Sequence, residues 1–322
     1  MTNTKINAPV NGKTPELTKD MSIRLAALTS FNFYYRNMLW NETGALANKD
    51  PEFLHYLRVS SKRLRVALST FRTYFKKREI NYFKDEAKSL APVLGKARDI
   101  DVYLKFLNRE VIPSMSISAR ISLKNHIDSL RGHRKELQKE VVKKIKSSRH
   151  RRFKDRLQRF LEKGLASHHK NSTSRLNRIC RLEILEGIDS LIRSSRGLSR
   201  KSGDHRLHKF RIKCRKMRYK VELFLPLLGE NGLKADKMIV GMQNALGGQH
   251  DSVTASEKLE QFLKLNPQFK KSPAIRKLSK IQRRRSGKFR RKFFQKLGGI
   301  KKIREFVKMP KAGRASPKVN VP

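Results

Sequence analysis

The sequence has 322 residues, 38% of them hydrophobic and 32% charged, and a formal net charge of +49. That length suits one large or two medium domains with a hydrophobic core, and the charge draws the chain to polyanions: nucleic acid, inorganic polyphosphate or an anionic membrane surface. No run of 18 apolar residues occurs, so no spanning helix is expected; the N-terminus lacks the apolar core of a secretory signal, Cys180 and Cys214 stand in neither metal nor redox spacing, and a cytoplasmic setting is expected.

Residues 1–20 are polar and aperiodic and read as a disordered arm. Ile23, Ala27, Phe31, Tyr34, Tyr35 and Met38 then recur at helical spacing, predicting a helix of about five turns that stops at Asn41 to Gly44. Asp50-Pro51-Glu52 is a helix start, with a capping residue and proline at the first helical position. After a break near Arg78, apolar positions run to Pro92, and Leu94-Gly95-Lys96-Ala97-Arg98-Asp99-Ile100-Asp101 leads into a helix ended by Pro113. Residues 116–166 are helical in pattern, and within them residues 131–163 hold 14 Lys or Arg against four acids.

Residues 167–174 are short, polar and without an apolar anchor, which marks a linker. A helix from about Leu176 through Ile192 is broken by Gly197 to Gly203, and the next helical run ends near Gly229. Met238 to Leu246 then lead to Gly247-Gly248-Gln249-His250-Asp251. Residues 280–308 carry 13 basic residues against one acid, interleaved with Phe289, Phe293 and Phe294, and the last dozen residues read as a flexible basic tail. No strand alternation appears, so the chain is predicted to be all-α, with helices arranged in bundles.

Two stretches resemble each other. Residues 55–71 and 208–224 align without gaps over 17 positions, four identical and six more of the same chemical type. The Leu-Gly motifs follow in the same order, with His55 to Asp99 spanning 44 residues and His208 to Asp251 spanning 43. An internal duplication into two helical bundles about a pseudo-twofold axis is the expectation. On a helix Leu57, Leu64, Leu68 and Phe71 share one face, and His55, Arg58, Lys62 and Arg65 the opposite one. The second stretch sets Phe210, Met217, Val221 and Phe224 against His208, Arg211, Arg215 and Arg218. A basic stripe can be merely the solvated side of an amphipathic helix. Here no acid interrupts the stripes and no i,i+4 acid is read as compensating them, so a bound polyanion is expected to offset the repulsion. Asp99, Asp101 and Asp251 read either as caps or ion-pair partners beside a glycine that ends or kinks a helix, or as groups orienting the Arg and His of their half.

The pattern His-x-Leu-Arg-Val-x-x-Lys-Arg-Leu-Arg, followed by Leu-Gly-x-x-Arg-Asp-Ile-Asp-Val and then by a second such pair, resembles the CHAD family, the conserved histidine α-helical domain. The resemblance spans roughly residues 21–305. It implies two four-helix bundles around a basic central groove or pore, and binding of inorganic polyphosphate, with several family members found at polyphosphate granules. The implied contacts are His55, Arg58, Lys62, Arg63, Arg65 and Arg98 in the first half and His208, Arg211, Arg215, Lys216, Arg218 and His250 in the second, with Asp99, Asp101 and Asp251 in support. Departures are Lys62, where the family commonly has arginine, and Met217 and Gly248, which bear on local helix geometry. No Glu-x-Glu-x-Lys of a triphosphate-tunnel domain is present, so the chain resembles a stand-alone domain.

The implied organisation is an arm at 1–20, a first helical half at 21–166, a linker at 167–174, a second half at 175–305 and a basic tail at 306–322. Non-covalent polyphosphate binding in the cytoplasm or at granules is expected, with no catalytic residue, metal or cofactor. The main alternative is nucleic-acid binding, with the phenylalanines of the basic C-terminal segment stacking single-stranded bases. An enzyme using His55 and His208 with Asp99 or Asp251 matches no compact metal motif, and residues 280–308 could hold an anionic membrane surface as a secondary effect of charge.

Overall fold

The structure, a computed structural model, describes residues 14–167 and 176–307. Ten α-helices make up most of that span, and no strand occurs among the described residues. They are α1 (Ile23–Ala47), α2 (Pro51–Thr70), α3 (Lys77–Ser89), α4 (Ala91–Phe106), α5 (Ile117–Lys146), α6 (Ser148–Ala166), α7 (Leu176–Ser195), α8 (Asp204–Leu265), α9 (Pro273–Leu297) and α10 (Lys302–Val307). Residues 1–13 of the expected arm, 168–174 of the linker and 308–322 of the tail lie outside the described residues. Within the remainder, Leu17 is buried against the core and Val307 closes α10.

Local chemistry accounts for the helix boundaries. Ser22 Oγ accepts from the Leu25 amide at 3.1 Å to start α1. Asp50 Oδ1 accepts from the Glu52 amide at 2.8 Å ahead of Pro51 to start α2, as the helix-start signature predicts. The expected stop at Asn41 to Gly44 does not occur, and α1 continues to Ala47 before Asn48 turns into the left-handed region at φ 50°. Asn41 donates its side-chain amide to the Asn37 carbonyl within the helix, and Gly44 leaves the space that the Phe53 ring of α2 fills. Glycine here serves the α1–α2 contact rather than ending a helix.

The longest helix, α8, has 62 residues and bends at Gly229, whose φ of 56° and ψ of −144° suit only glycine. Pro226, which has no N–H to donate, precedes the bend. The bend makes two arms, residues 204–228 with the second similar stretch and residues 230–265 with the second Leu-Gly motif. Gly95, Gly247 and Gly248 sit inside regular helix, correcting the expectation that this glycine ends or kinks a helix. Of the three, Gly248 makes room for a neighbour, the Phe289 ring of α9, whereas a side chain at Gly95 would meet the Arg58 guanidinium only in ordinary contact.

The apolar stripes build the core. Leu57, Leu64, Leu68 and Phe71 are fully buried, as are Val221 and Phe224, and Phe210 and Met217 are nearly so; each such side chain contributes roughly 1.5–3 kcal/mol. In the first half α1 packs on α2 and α2 on α3 and α4; in the second α8 packs on α7, α9 and α10. Contacts of α2 and α4 with α8 and of α5 with α9 join the two sets, so the core is continuous. The two similar stretches meet at that junction: Phe71 and Phe224, the last residue of each, stand edge to face at 5.8 Å.

An ion triad ties the same junction. Glu222, buried on α8, accepts from Arg63 Nε of α2 at 2.9 Å and from Arg218 Nε at 2.8 Å. Arg218 and Glu222 are four residues apart, which corrects the reading that no i,i+4 acid compensates the stripes. Removing one partner of a buried ion pair leaves the others uncompensated. Glu222→Gln is therefore expected to lower unfolding free energy by about 2 kcal/mol in a urea titration, less than for a fully buried pair because both arginines keep some solvent. A loss under about 0.5 kcal/mol, the scale of ordinary surface substitutions, would contradict this role.

Candidate functional site

Between α1, α2 and the first arm of α8 lies a cleft of about 660 Å3. From α2 it is lined by His55, Arg58, Lys62 and Arg63, and from α8 by Arg211, Arg215 and Arg218. Tyr34, Trp40, Tyr56, Tyr219 and Gln243 also line it. Seven of the twelve expected contact residues thus share one cavity. The register that buries the apolar stripes against the core turns the basic stripes of α2 and α8 toward each other.

The cations influence one another strongly. Burial, followed by the charges of Arg58, Arg215 and Arg211, pushes the Lys62 amine down to about 6, while Asp99 opposes the shift. Burial also lowers Arg211 and Arg215, the latter to about 10 with Arg211 and Arg58 adding to the effect. His55 falls to about 4 through burial and the neighbouring Arg98, with Glu52 working the other way. All of these shifts run against holding positive charge in the cleft of the free protein. Among the lining groups, Tyr34 Oη, His55 Nδ1, Arg58 Nε and Gln243 Oε1 are buried polar atoms without a hydrogen-bond partner, each a cost of about 1–3 kcal/mol if left unmet.

The remaining expected residues divide. His208 and His250 lie with ring centroids 4.8 Å apart and planes tilted by 48°, and His250 is pushed down to about 4 by burial and then by Arg211, His208 and Arg58. Arg98 donates to Glu52 at 3.2 Å and lies close enough to depress His55. The His208–His250 and His55–Arg98 pairs occupy matching places in the two motif sets. Arg65 is lowered by burial, with Asp85 opposing, and it bears on Arg215 from outside the cleft lining. Lys216 is exposed and does not reach the cleft, whereas Arg63, its counterpart, lines it.

The supporting acids also separate. Asp251 is raised by burial, against the pull of Arg211, and feels Asp99 as a like charge, so the acids of both Leu-Gly motifs approach one another beside Arg58 and Arg211. A small hollow is lined by both of them together with Val102, Tyr103 and Thr254. Asp101 instead accepts from Arg134 Nε of α5 at 2.7 Å and fixes α4 to α5. Glu222 and Glu52, which set how much of the positive charge is neutralised, were not singled out from the sequence as site residues. Their spacing carries the signal, since Glu222 follows Arg218 by one helical turn and Glu52 precedes His55 by three residues.

Comparison with known proteins follows the same lines. The family model described as the CHAD domain matches residues 30–260. A search of curated proteins found no match. Among solved structures, the crystal structure of the CHAD domain from the plant Ricinus communis is similar with a TM-score of 0.67 at 19% identity, covering 95% of this chain and 98% of that one. PptA from Streptomyces chartreusis is similar with a TM-score of 0.60 at 16% identity, covering 86% and 100%. At these identities the two structures speak to the fold, which they share with the all-α chain described above. With the family model covering well over half of its length, the chain belongs to the CHAD domain family.

Proposed function

We propose that this chain binds inorganic polyphosphate non-covalently along the cleft between α2 and the first arm of α8, with the duplicated basic stripes forming its two walls. The observation that carries the reading is the convergence of Arg58, Lys62, Arg211 and Arg215 from two helices on one partly dehydrated cavity. Like charges so placed repel, and a chain of phosphates offsets the cost for several of them at once. Guanidinium groups fork two hydrogen bonds to phosphate oxygens, and lysine supplies a mobile point charge. His55 in the lining and His250, which feels Arg211 and Arg58, supply ring nitrogens, and the unmet Arg58 Nε is a donor of the kind a phosphate oxygen takes. The proposed role is binding rather than turnover. Association with polyphosphate granules in the cytoplasm would follow from such an affinity.

Calorimetry against polyphosphates of graded length tests the reading. Affinity is expected to rise with length until the cleft is filled and to fall steeply with salt as condensed counterions are released. The Arg58→Ala/Arg211→Ala variant, if folded by circular dichroism, is expected to bind about 100-fold more weakly, two charge-assisted contacts being lost. Unchanged affinity in that folded variant would overturn the site.

Binding is also expected to take up protons. Phosphate favours the charged form of Lys62, His55 and His250, so each pKa rises on binding from its depressed value toward the ordinary one. Groups that bind protons more tightly in the complex make affinity rise as pH falls. For Lys62 the window opens below its ordinary value of 10.5 and closes near 6, and for the histidines it lies between 6.5 and about 4. Calorimetry at pH 7.5 in buffers of different ionisation enthalpy reads the uptake directly. Identical apparent enthalpies in all buffers would show that Lys62 does not change protonation.

A further inference from the structure

A second cleft, of about 980 Å3, opens between the start of α1, the turn leading into α3, and α6. It shares no lining residue with the central cleft. Arg24, Lys76, Arg78, Arg156, Arg159 and Lys163 line it against one acid, Glu79. All six cations are exposed, and none is in an ion pair with a carboxylate among the described residues.

This cleft differs from a plain basic surface in its floor. Phe75 and Phe160 are half-buried with ring centroids 5.7 Å apart. Phe31, 5.6 Å from Phe75, and Phe83, 5.2 Å from Phe160, lock them to the core. The Arg24 guanidinium lies over the Phe75 ring at 5.0 Å, and that of Arg156 over the half-buried Tyr82 ring at 4.1 Å. A guanidinium so held presents a planar face of its own, on which a nucleobase can stack. A base-free polyanion would use only the cations. Rings fixed by the core and interleaved with unpaired cations are the combination that single-stranded nucleic acid uses.

We propose that this cleft is a binding site for single-stranded nucleic acid, with bases stacked on the Arg24–Phe75 and Arg156–Tyr82 pairs and phosphates held by Lys76, Arg78, Arg159 and Lys163. It stands independently of the polyphosphate reading of the central cleft, because the two sites have separate residues and separate tests.

Fluorescence anisotropy with a labelled oligothymidylate of about 12 nucleotides, within the range of such sites, tests it on the full chain at fixed ionic strength. The Tyr82→Ala/Arg156→Ala variant is expected to bind about tenfold more weakly, the worth of roughly one stacked base. An abasic strand of equal length should lose at least as much on the unaltered chain, while Arg58→Ala/Arg211→Ala leaves oligothymidylate binding within about twofold. Should the first variant fail to fold, Arg159→Ala/Lys163→Ala changes only exposed positions on α6 and is expected to weaken binding as well. Equal affinity for the abasic strand overturns the stacking. Undiminished binding by folded α6-face variants, or loss of binding in the central-cleft variant, overturns the site.

Discussion

The structure depends on one electrostatic constraint, that cations from two helices are brought together where water is partly excluded. α2 and the first arm of α8 pack through apolar stripes, and the opposite stripes then face a common cleft. Repulsion there would push the helices apart were it not offset. Part of the offset is internal: Glu222 sits between Arg63 and Arg218 and converts two of the seven lining cations and histidines into a neutralising bridge. The rest, Arg58, Lys62, Arg211 and Arg215, has no such ion pair among the described residues, and burial lowers Lys62, Arg211 and Arg215, with the neighbouring guanidinium charges adding to the shift of Lys62. Buried ion networks of this kind contribute little net stability but fix which surfaces meet.

The two walls are alike without being equal. Glu52 neutralises Arg98 and reaches Lys105 at the first-half end. The matching place in the second half is His205, which adds to the positive surroundings of His208. Glu222 likewise has Ser69 as its counterpart in the first stretch, and this difference explains why Arg63 is drawn into the cleft while Lys216 remains exposed. The second-half end of the basic set therefore lacks an acid at the place that Glu52 holds in the first half.

Much of this was legible in the sequence because its signals are local or periodic. The Asp50-Pro51 start follows from capping chemistry, and the burial of the stripes from Leu57 to Phe71 and from Phe210 to Phe224, with Arg58 and Lys62 grouped on one helix face and Arg211 and Arg215 on another, follows from a turn of about 100° per residue. What escaped needed knowledge of the neighbouring helix. Gly44 and Gly248 look like breaks until Phe53 and Phe289 are seen to occupy the space above them. Asp101 looks like support for the basic stripe until Arg134, 33 residues away, claims it. Glu222 lies just beyond the basic stripe, and its partner Arg63 is 159 residues distant. The aromatic and basic cleft at α1, α3 and α6 was equally invisible, since Arg24, Phe75 and Arg156 converge from three separate segments.

The central claim is that the unpaired cations of the α2–α8 cleft form one site for a chain of phosphates. A crystal structure of this protein with a polyphosphate of defined length tests it most directly. The account predicts continuous density between α2 and the first arm of α8, with phosphate oxygens within hydrogen-bond distance of Arg58, Lys62, Arg211 and Arg215. An empty central cleft, with phosphate bound instead along α9 or the α6 face, would contradict it.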